Sequence, residues 1–344
     1  MADIPVLAYH RISNNSTDKL TVTPSLFRKH LAYLKDNGYH SIRTKDIPRV
    51  LRRKASSTPA KPVILSFDDG YTCTYRNAIP LLEHYGFRGT FFICPGFAEK
   101  CLRGRMSWNE IINTAKRGHE IQSHTLNHSY LPRQDSRTIR AELVSSRELL
   151  ERKIQHPVKS LAYPFGAFTS GVQNTARRSG YNMLFTANPG INNLITDVRK
   201  IKRQVILGTD TPGVFAAKLG CKTLRTRVPY PKNGSVVPWK PIIRISAVLE
   251  GKTPADKPAF LADINGKRFN TSYTTAKDMV SLSFSPVFDC YYSVTLRKKP
   301  RSSSPLYSWG FYVSGPVKND KEDRSWYQRK KRPTSNRSLR NTAA

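Results

Sequence analysis

The residues of this chain that could do chemistry together are two neighbouring aspartates and two histidines four positions apart. Asp68 and Asp69 end an apolar, strand-like run in the segment Ser66–Gly70, and His124 and His128 follow a second short apolar run. One carboxylate and two imidazoles make a three-ligand metal site that leaves coordination positions open for water and substrate. The second carboxylate would then be free to act as a base, so the set suits metal-assisted hydrolysis.

Each half of this set also has a plainer interpretation. An Asp-Asp-Gly sequence after a strand is common in turns. A pair of histidines four residues apart can equally lie on the solvent-exposed face of a helix. The occurrence of both pairs in one chain, each directly after a predicted strand, favours the metal site.

The elements that must position these residues alternate between short apolar runs and helical patterns through residues 1–220. This alternation indicates a parallel β/α barrel, in which chemistry lies where the strands end at their C-terminal face. The predicted strands are 4–9, 62–67, 89–93, 119–122, 161–163, 181–186 and 201–206, and the predicted helices are 24–35, 78–85, 108–117, 136–154 and 171–179. The residues that fall just after predicted strands are Asp68, Asp69, His124, His128, Tyr163 and Pro164.

The character of the sequence changes after residue 220. A linker-like stretch contains Pro229, Pro231, Gly234 and Pro238. The β-type runs that follow are 242–249, 259–264, 280–284, 291–296 and 309–313. Frequent turns without helical periodicity predict a small all-β, sandwich-like domain over residues 236–315.

The last segment, residues 316–344, is polar and basic, and we expect it to be a flexible, disordered tail. Its run Arg329–Arg332 is most simply a solvated stretch of charge, with tethering to a polyanion as the alternative.

The composition of the chain indicates which partners it favours but says nothing about the reaction. The chain has 57 Lys and Arg against 24 Asp and Glu, a net charge of +33, which favours anionic polymers or surfaces. No nucleic-acid-binding module is recognisable, so charge alone supports that class. No apolar run approaches the ~20 residues needed to span a bilayer, and no signal peptide is recognisable, which leaves the compartment open. Five scattered cysteines are too few for a disulfide framework, although a Cys94–Cys101 bridge is an alternative to reduced thiols.

Three motifs resemble those of the polysaccharide deacetylases of the NodB-homology group, carbohydrate esterase family four. Ser66–Gly70 matches that family's Thr-Phe-Asp-Asp-Gly with Ser for Thr, and His124–His128 matches its His-(Ser/Thr)-x-x-His. Ala162–Gly166 is similar to its third, Tyr-Pro-containing motif. The resemblance covers roughly residues 4–215 and implies an α/β fold, an incomplete (β/α)7-type barrel that hydrolyses N-acetyl groups of a glycan with a divalent metal.

The N-terminal segment narrows this resemblance to one branch. Residues 6–12, followed by 22–24 and Phe27, are similar to the enzymes that deacetylate poly-β-1,6-N-acetylglucosamine in biofilms. The motif order is permuted in that branch, so His10 would take the place of the histidine from the family's last motif. A lone histidine after a strand can also be an ordinary core or surface group.

The resemblance implies a role for each candidate. Asp69, His124 and His128 would bind the metal, with Zn²⁺ the usual ion for a mixed nitrogen and oxygen set and Co²⁺ or Ni²⁺ as alternatives. Asp68 would be the catalytic base, and His10 would protonate the leaving sugar amine.

The third motif would supply the remaining contacts. The backbone N–H of Tyr163 would stabilise the tetrahedral oxyanion, and Tyr163, Pro164 and Phe165 would contact substrate. The arginine that the family often places before Tyr-Pro is Ala162 here, so the partner of the base must come from elsewhere. Arg203 is the candidate, with an ordinary surface charge as the alternative.

The predicted function is a metal-dependent hydrolase that removes N-acetyl groups from an N-acetylglucosamine-containing polysaccharide and releases acetate. The alternatives are an O-acetyl esterase or peptidoglycan deacetylase on the same fold, or a non-catalytic cationic protein that binds the cell envelope. The predicted partners are the N-acetylated glycan and an anionic envelope polymer that meets the basic surface.

Overall fold

The computed structural model describes residues 3–15, 18–52, 59–221, 226–238, 240, 242–249, 260–265, 267–274, 279–286, 290–298 and 306–314. These residues form a parallel, helix-covered sheet followed by an all-β region, which confirms the predicted fold class. The predicted tail, residues 316–344 with Arg329–Arg332, lies outside the described residues.

The first part is an incomplete parallel barrel. Its strands are β1 (Val6–Tyr9), β4 (Tyr39–Ser41), β5 (Lys61–Phe67), β6 (Gly89–Ile93), β7 (Glu120–Ser123), β8 (Ser160–Ala162), β9 (Met183–Phe185) and β10 (Gln204–Val205), with β2 (Arg11–Ile12) and β3 (Thr21–Val22) paired separately. The sheet order is β10-β1-β5-β6-β7-β8-β9, and β4 pairs with β5. A single parallel bridge between Phe185 and Ile201 links the β9 edge to the segment leading into β10.

Strand β5 shows why the sequence forms this sheet. Every residue of Pro62–Phe67 is buried, so both faces of the strand are covered and the run is apolar without alternation. Continuous apolar runs of this kind are typical of parallel sheets that have helices on both faces. The neighbouring strands β1 and β6 are buried along their whole length as well.

Five of the eight α-helices among the described residues begin at a side chain that accepts a hydrogen bond from the first helical turn. The eight are α1 (Pro24–Asp36), α2 (Ile47–Leu51), α3 (Ile79–His84), α4 (Pro95–Glu99), α5 (Trp108–Lys116), α6 (Ser136–Ile154), α7 (Ser170–Arg178) and α8 (Pro212–Leu219). Thr23, Ser107 and Asp135 each accept from the amide three residues later. The helix predicted over 78–85 instead starts with a π-helical turn, Thr74–Ala78, because Pro80 has no N–H for the regular ladder.

The second part is a β-sandwich. Its strands are β11 (Thr226–Tyr230), β12 (Val236–Pro238), β13 (Ile243–Leu249), β14 (Phe260–Ile264), β15 (Lys267–Asn270), β16 (Ser272–Thr274), β17 (Met279–Phe284), β18 (Cys290–Lys298) and β19 (Leu306–Ser314). One sheet has the order β11-β13-β17-β16, and the other has the order β12-β19-β18-β14-β15. Ile245 of the first sheet and Trp309 of the second belong to one buried core.

The proline-rich stretch before the sandwich is not a linker. Pro229 lies in β11 and Pro238 in β12, and each of these strands is at the edge of its sheet. An edge strand tolerates proline because one side of its backbone needs no ladder partner. The first strand of the sandwich therefore begins ten residues before the predicted boundary at residue 236.

The sandwich rests on loops at the C-terminal end of the barrel strands. Tyr291 and Tyr312 of the sandwich belong to the barrel's buried apolar cluster. The hydroxyl of Ser293 lies 3.0 Å from the side-chain oxygen of Asn188, in the loop after β9. The two parts thus meet beside the predicted site.

All five cysteines lie within the described residues, and no disulfide joins them. No helix among the described residues is both long and apolar enough to cross a bilayer.

Candidate metal centre

The Asp-Asp-Gly turn places two adjacent carboxylates on one side of the sheet. The amide of Asp68 still donates to the carbonyl of Tyr9 at 3.0 Å, so this residue ends the β5 ladder. Asp69 and Gly70 then adopt left-handed backbone conformations, with φ of 72° and 64°. The turn breaks the alternation of the strand, and both carboxylates can face the same space.

The loop after β7 brings in the two histidines through a similar backbone distortion. The amide of His124 donates to the carbonyl of Ile93 at 2.8 Å, and Thr125 and His128 have φ of 65° and 59°. Non-glycine residues with positive φ cost free energy that the surrounding structure must offset. Here the amide of His128 donates to the hydroxyl of Thr125 at 3.1 Å, which closes the loop on itself.

Three ligand-type atoms converge at this point. Oδ1 of Asp69 lies 3.3 Å from Nε2 of His124 and 3.2 Å from Nε2 of His128. Among the described residues, these three side chains are the group of histidines, cysteines and carboxylates close enough to share one metal ion. The sequence placed the same three residues together.

The donor set fits a divalent cation. Nδ1 of His124 lies 2.7 Å from the carbonyl of Ala162, so the proton sits on Nδ1 and the lone pair of Nε2 points towards Asp69. Oδ1 of Asp69 is buried and has no hydrogen-bond partner among the described residues. Burial would raise the pKa of Asp69, but the neighbouring imidazoles of His124 and His128 outweigh it and lower that pKa.

Asp68 lies beside this centre and is held by Arg203. Nη1 of Arg203 donates to Oδ1 of Asp68 at 2.7 Å, while Oδ2 lies 3.9 Å from Nε2 of His124. Nε of Arg203 donates to the carbonyl of Thr186 at 2.8 Å, and the guanidinium is buried. Burial would raise the pKa of Asp68, but the charge of Arg203 and its hydrogen bond outweigh it and lower that pKa.

His10 lies at the end of β1 on the same face of the barrel. Its Nδ1 is buried without a hydrogen-bond partner among the described residues. Burial lowers the pKa of His10, and the nearby carboxylates of Asp68 and Asp69 oppose that shift. The charges of both aspartates therefore act on the pKa of His10.

The structure contradicts the expectation for the third motif at Tyr163. Its amide already donates to the carbonyl of Phe185 at 3.0 Å, because β8 and β9 are paired there, so it is not available to an oxyanion. Its side chain is fully buried, stacked on Phe168 with ring centroids 5.1 Å apart, and cannot contact substrate. Pro164 is also buried.

Phe165 is the exposed member of this motif. Its side chain is 58% exposed, its φ is 60°, and its ring centroid lies 4.7 Å from that of His128. The amides of Gly166 and Ala167 donate to Tyr163 and Pro164. The amide of Phe165 is therefore the one in this turn that has no acceptor among the described residues.

Two groups around the site were missed from the sequence. Tyr130 packs on Phe165, with ring centroids 5.7 Å apart, and its hydroxyl accepts from the amide of Tyr291 in the sandwich at 2.7 Å. On the other side, Arg105 donates through Nη1 to the carbonyl of Asp69 at 2.9 Å. No local pattern marks either residue, because each makes contacts with residues distant in sequence.

The family model for polysaccharide deacetylases matches residues 55–184, which include all three motifs. YxkH of Bacillus subtilis (strain 168), which is named for the same family, is 30% identical over 190 residues, 55% of this chain and 66% of its own length. The poly-beta-1,6-N-acetyl-D-glucosamine N-deacetylase of Escherichia coli (strain K12) is 23% identical over 256 residues, 62% of this chain and 38% of its own length. This chain thus spans less than two thirds of either relative.

A solved structure is also similar to this chain. The Streptococcus pyogenes deacetylase PplD, determined in complex with acetate, is 25% identical with a TM-score of 0.60. The similarity covers 63% of this chain and 98% of that chain.

Proposed function

This chain carries a polysaccharide deacetylase domain, and we propose that it is a metal-dependent hydrolase that removes N-acetyl groups from an N-acetylglucosamine-containing polysaccharide. The observation that carries the proposal is the convergence of Asp69, His124 and His128 on one point, with Asp68 beside it. These residues leave one carboxylate for the metal and one for proton transfer.

The nitrogen and oxygen donors of the three ligands suit Zn²⁺, with Co²⁺ or Ni²⁺ as alternatives. When bound, such an ion supplies a Lewis acid that polarises the acetyl carbonyl and acidifies water. The left-handed turn at Asp69 and the bond from His124 to Ala162 orient the ligands before any ion arrives.

Asp68 takes the proton of the attacking water. Arg203 keeps this carboxylate ionised and fixes its Oδ1, which leaves Oδ2 for the water. His10 gives its proton to the leaving sugar amine, since an amide anion is a poor leaving group.

The amide of Phe165 stabilises the oxyanion of the tetrahedral intermediate. It replaces the amide of Tyr163, which is bonded to Phe185. Phe165 lies in the turn Pro164–Gly166 that follows β8, and its ring lies against the proposed ligand His128. A preorganised N–H of this kind contributes about 3 kcal/mol to oxyanion stabilisation.

Acetate release tests the function directly. The purified chain should release acetate from oligomers of N-acetylglucosamine, lose that activity with a chelator, and regain it with Zn²⁺ or Co²⁺. Acetate released only from O-acetylated glycans, or only from peptidoglycan, would identify the alternative activities on this fold.

Two substitutions separate the aspartates. Asp69→Asn should abolish metal binding, whereas Asp68→Asn should retain the metal and lower kcat by about a hundredfold or more. Asp36→Asn, at an exposed position on α1, is the matched control and should change neither property. An unchanged kcat in Asp68→Asn would contradict this mechanism.

A further inference from the structure

A stack of aromatic rings and guanidinium groups stands beside the metal centre. Tyr71 follows the Asp-Asp-Gly turn, and Arg11 follows His10 at the end of β1. The guanidinium carbons of Arg11 and Arg105 lie 4.2 Å and 3.8 Å from the ring centroid of Tyr71. Arg105 also lies 4.7 Å from the ring centroid of Phe97. Stacking between two rings fixes the plane of a guanidinium and leaves its edge for hydrogen bonds.

The guanidinium of Arg105 has N–H donors that the described residues do not use. A guanidinium carries five N–H donors. Nη1 of Arg105 donates to the carbonyl of Asp69, while Nε and Nη2 find no acceptor among the described residues. The side chain is 18% exposed, so part of it reaches solvent. Nη1 of the same guanidinium lies 3.7 Å from Oδ2 of Asp69, one of the proposed metal ligands.

Arg11 adds a second positive charge to the same wall. Its Nη2 donates to the hydroxyl of Tyr71 at 2.7 Å, and its Nη1 pairs with Asp18. The side chain of Arg11 is 27% exposed. The surface formed by Tyr71, Arg11 and Arg105 therefore presents two guanidinium groups that are held in place. Arg105 is the one with unused N–H donors.

The charge of the whole chain acts in the same direction. Deacetylation turns a neutral N-acetyl sugar into a cationic amine. A protein with a net charge of +33 repels a homopolymer more strongly as its amines accumulate. A glycan that also carries acidic groups stays attracted, because each new amine only offsets a negative charge.

We propose that Arg105, assisted by Arg11, forms a subsite for an anionic group on the sugar next to the N-acetyl group that reacts. The group is a carboxylate or a phosphate ester, both of which a guanidinium edge binds through two parallel hydrogen bonds. The proposal rests on the proposed function and names its substrate class, an N-acetylated glycan with acidic substituents.

The test compares three oligosaccharides of equal length with the metal-loaded full chain. One is neutral oligo-N-acetylglucosamine, one alternates N-acetylglucosamine with glucuronate, and one carries a phosphate ester. We expect kcat/KM to be at least tenfold higher for one acidic substrate, and the better of the two identifies carboxylate or phosphate. Equal kcat/KM for all three would overturn the proposal.

Substitutions then assign the preference. Arg105→Gln should reduce the ratio of kcat/KM for the acidic substrate to kcat/KM for the neutral substrate about tenfold. Arg105→Lys should reduce this ratio less, because a lysine keeps the charge but lacks the two parallel N–H donors. Arg103→Gln, at an exposed position in the same loop, removes the same charge and should leave the ratio unchanged. If Arg105→Gln lowers both rates equally and keeps the ratio, Arg105 serves only to hold Asp69 and the proposal is wrong.

Binding separates this proposal from the proposed function. Calorimetric titration of the Asp68→Asn variant with the acidic and neutral oligosaccharides should show tighter binding of the acidic one, and adding Arg105→Gln should remove the difference. This readout needs no turnover. Preferential binding without acetate release by the native chain would refute the hydrolase and keep the subsite, and equal binding would refute the subsite.

Discussion

At the scale of single residues, the buried contact with Arg203 keeps Asp68, the proposed base, ionised. Both side chains are about 2% exposed, and their closest atoms are 2.7 Å apart. A buried carboxylate without a counter-charge would take up a proton or cost several kcal/mol to keep ionised. Arg203 therefore supports both the fold and the proposed chemistry.

Arg203→Gln should lower the free energy of unfolding by about 3–5 kcal/mol, because it leaves Asp68 buried without its partner. Urea denaturation measures the loss. The double variant Asp68→Asn/Arg203→Gln should lose less than the sum of the two single variants, since no charge is left unpaired. Strict additivity would show that the pair does not couple.

At the scale of elements, helix α6 holds the loop that carries both histidines of the proposed metal site. The buried carboxylate of Glu142 accepts from the amide of Asn127 at 2.9 Å and from its side chain at 3.0 Å. The carbonyl of Glu142 accepts from the amide of Leu126 at 3.1 Å. Three bonds thus fasten the loop to one position of a long helix.

Glu142→Ala should weaken Zn²⁺ binding about 10- to 100-fold, the range typical of partners that orient metal ligands. Competition with a chromophoric chelator measures the affinity. Glu148→Ala, exposed on the same helix, is the control and should bind Zn²⁺ like the native chain. Equal affinity in the two variants would mean that the loop holds its shape without Glu142.

The sequence predicted the parts of this architecture whose signals are local. The strand ending at Phe67 and the helix Ser136–Ile154 follow from apolar periodicity, and the latter was predicted with its observed bounds. The engagement of the Tyr163 amide depends on the pairing of β8 with β9, which no local pattern reveals. The contact of Arg203 with Asp68 joins residues 135 positions apart and was found only because the family's usual arginine is Ala162 here.

At the scale of the whole molecule, two buried histidines make the barrel sensitive to acid. The amide of Gly89 donates to Nδ1 of His119 at 3.0 Å, and His30 stacks on Phe215 with centroids 4.0 Å apart. Burial is the largest cause that lowers the pKa of each histidine, to about 4 in both cases. Both therefore stay neutral in the fold but take up protons in the unfolded chain near pH 6.5.

The pKa of each histidine is lower in the folded chain than in the unfolded chain. The free energy of unfolding is therefore highest above pH 6.5 and falls as the pH is lowered towards 4. Each histidine should cost about 2 kcal/mol of unfolding free energy between pH 7 and pH 5. Urea denaturation at pH 7 and at pH 5 measures this loss. His119→Gln should remove about half of the loss that His30 and His119 cause together. His156→Gln, at an exposed position, should leave the pH dependence as it is.

The residues with left-handed backbone conformation around the proposed metal centre have a consequence for which substitutions the chain can accept. Asp69, Thr125, His128 and Phe165 all have positive φ, a conformation that glycine and asparagine adopt at lower cost. Replacing Asp69 or His128 with glycine would relieve local strain while removing a proposed metal ligand. A related chain with glycine at either position would therefore be expected to keep the turn while losing a metal ligand.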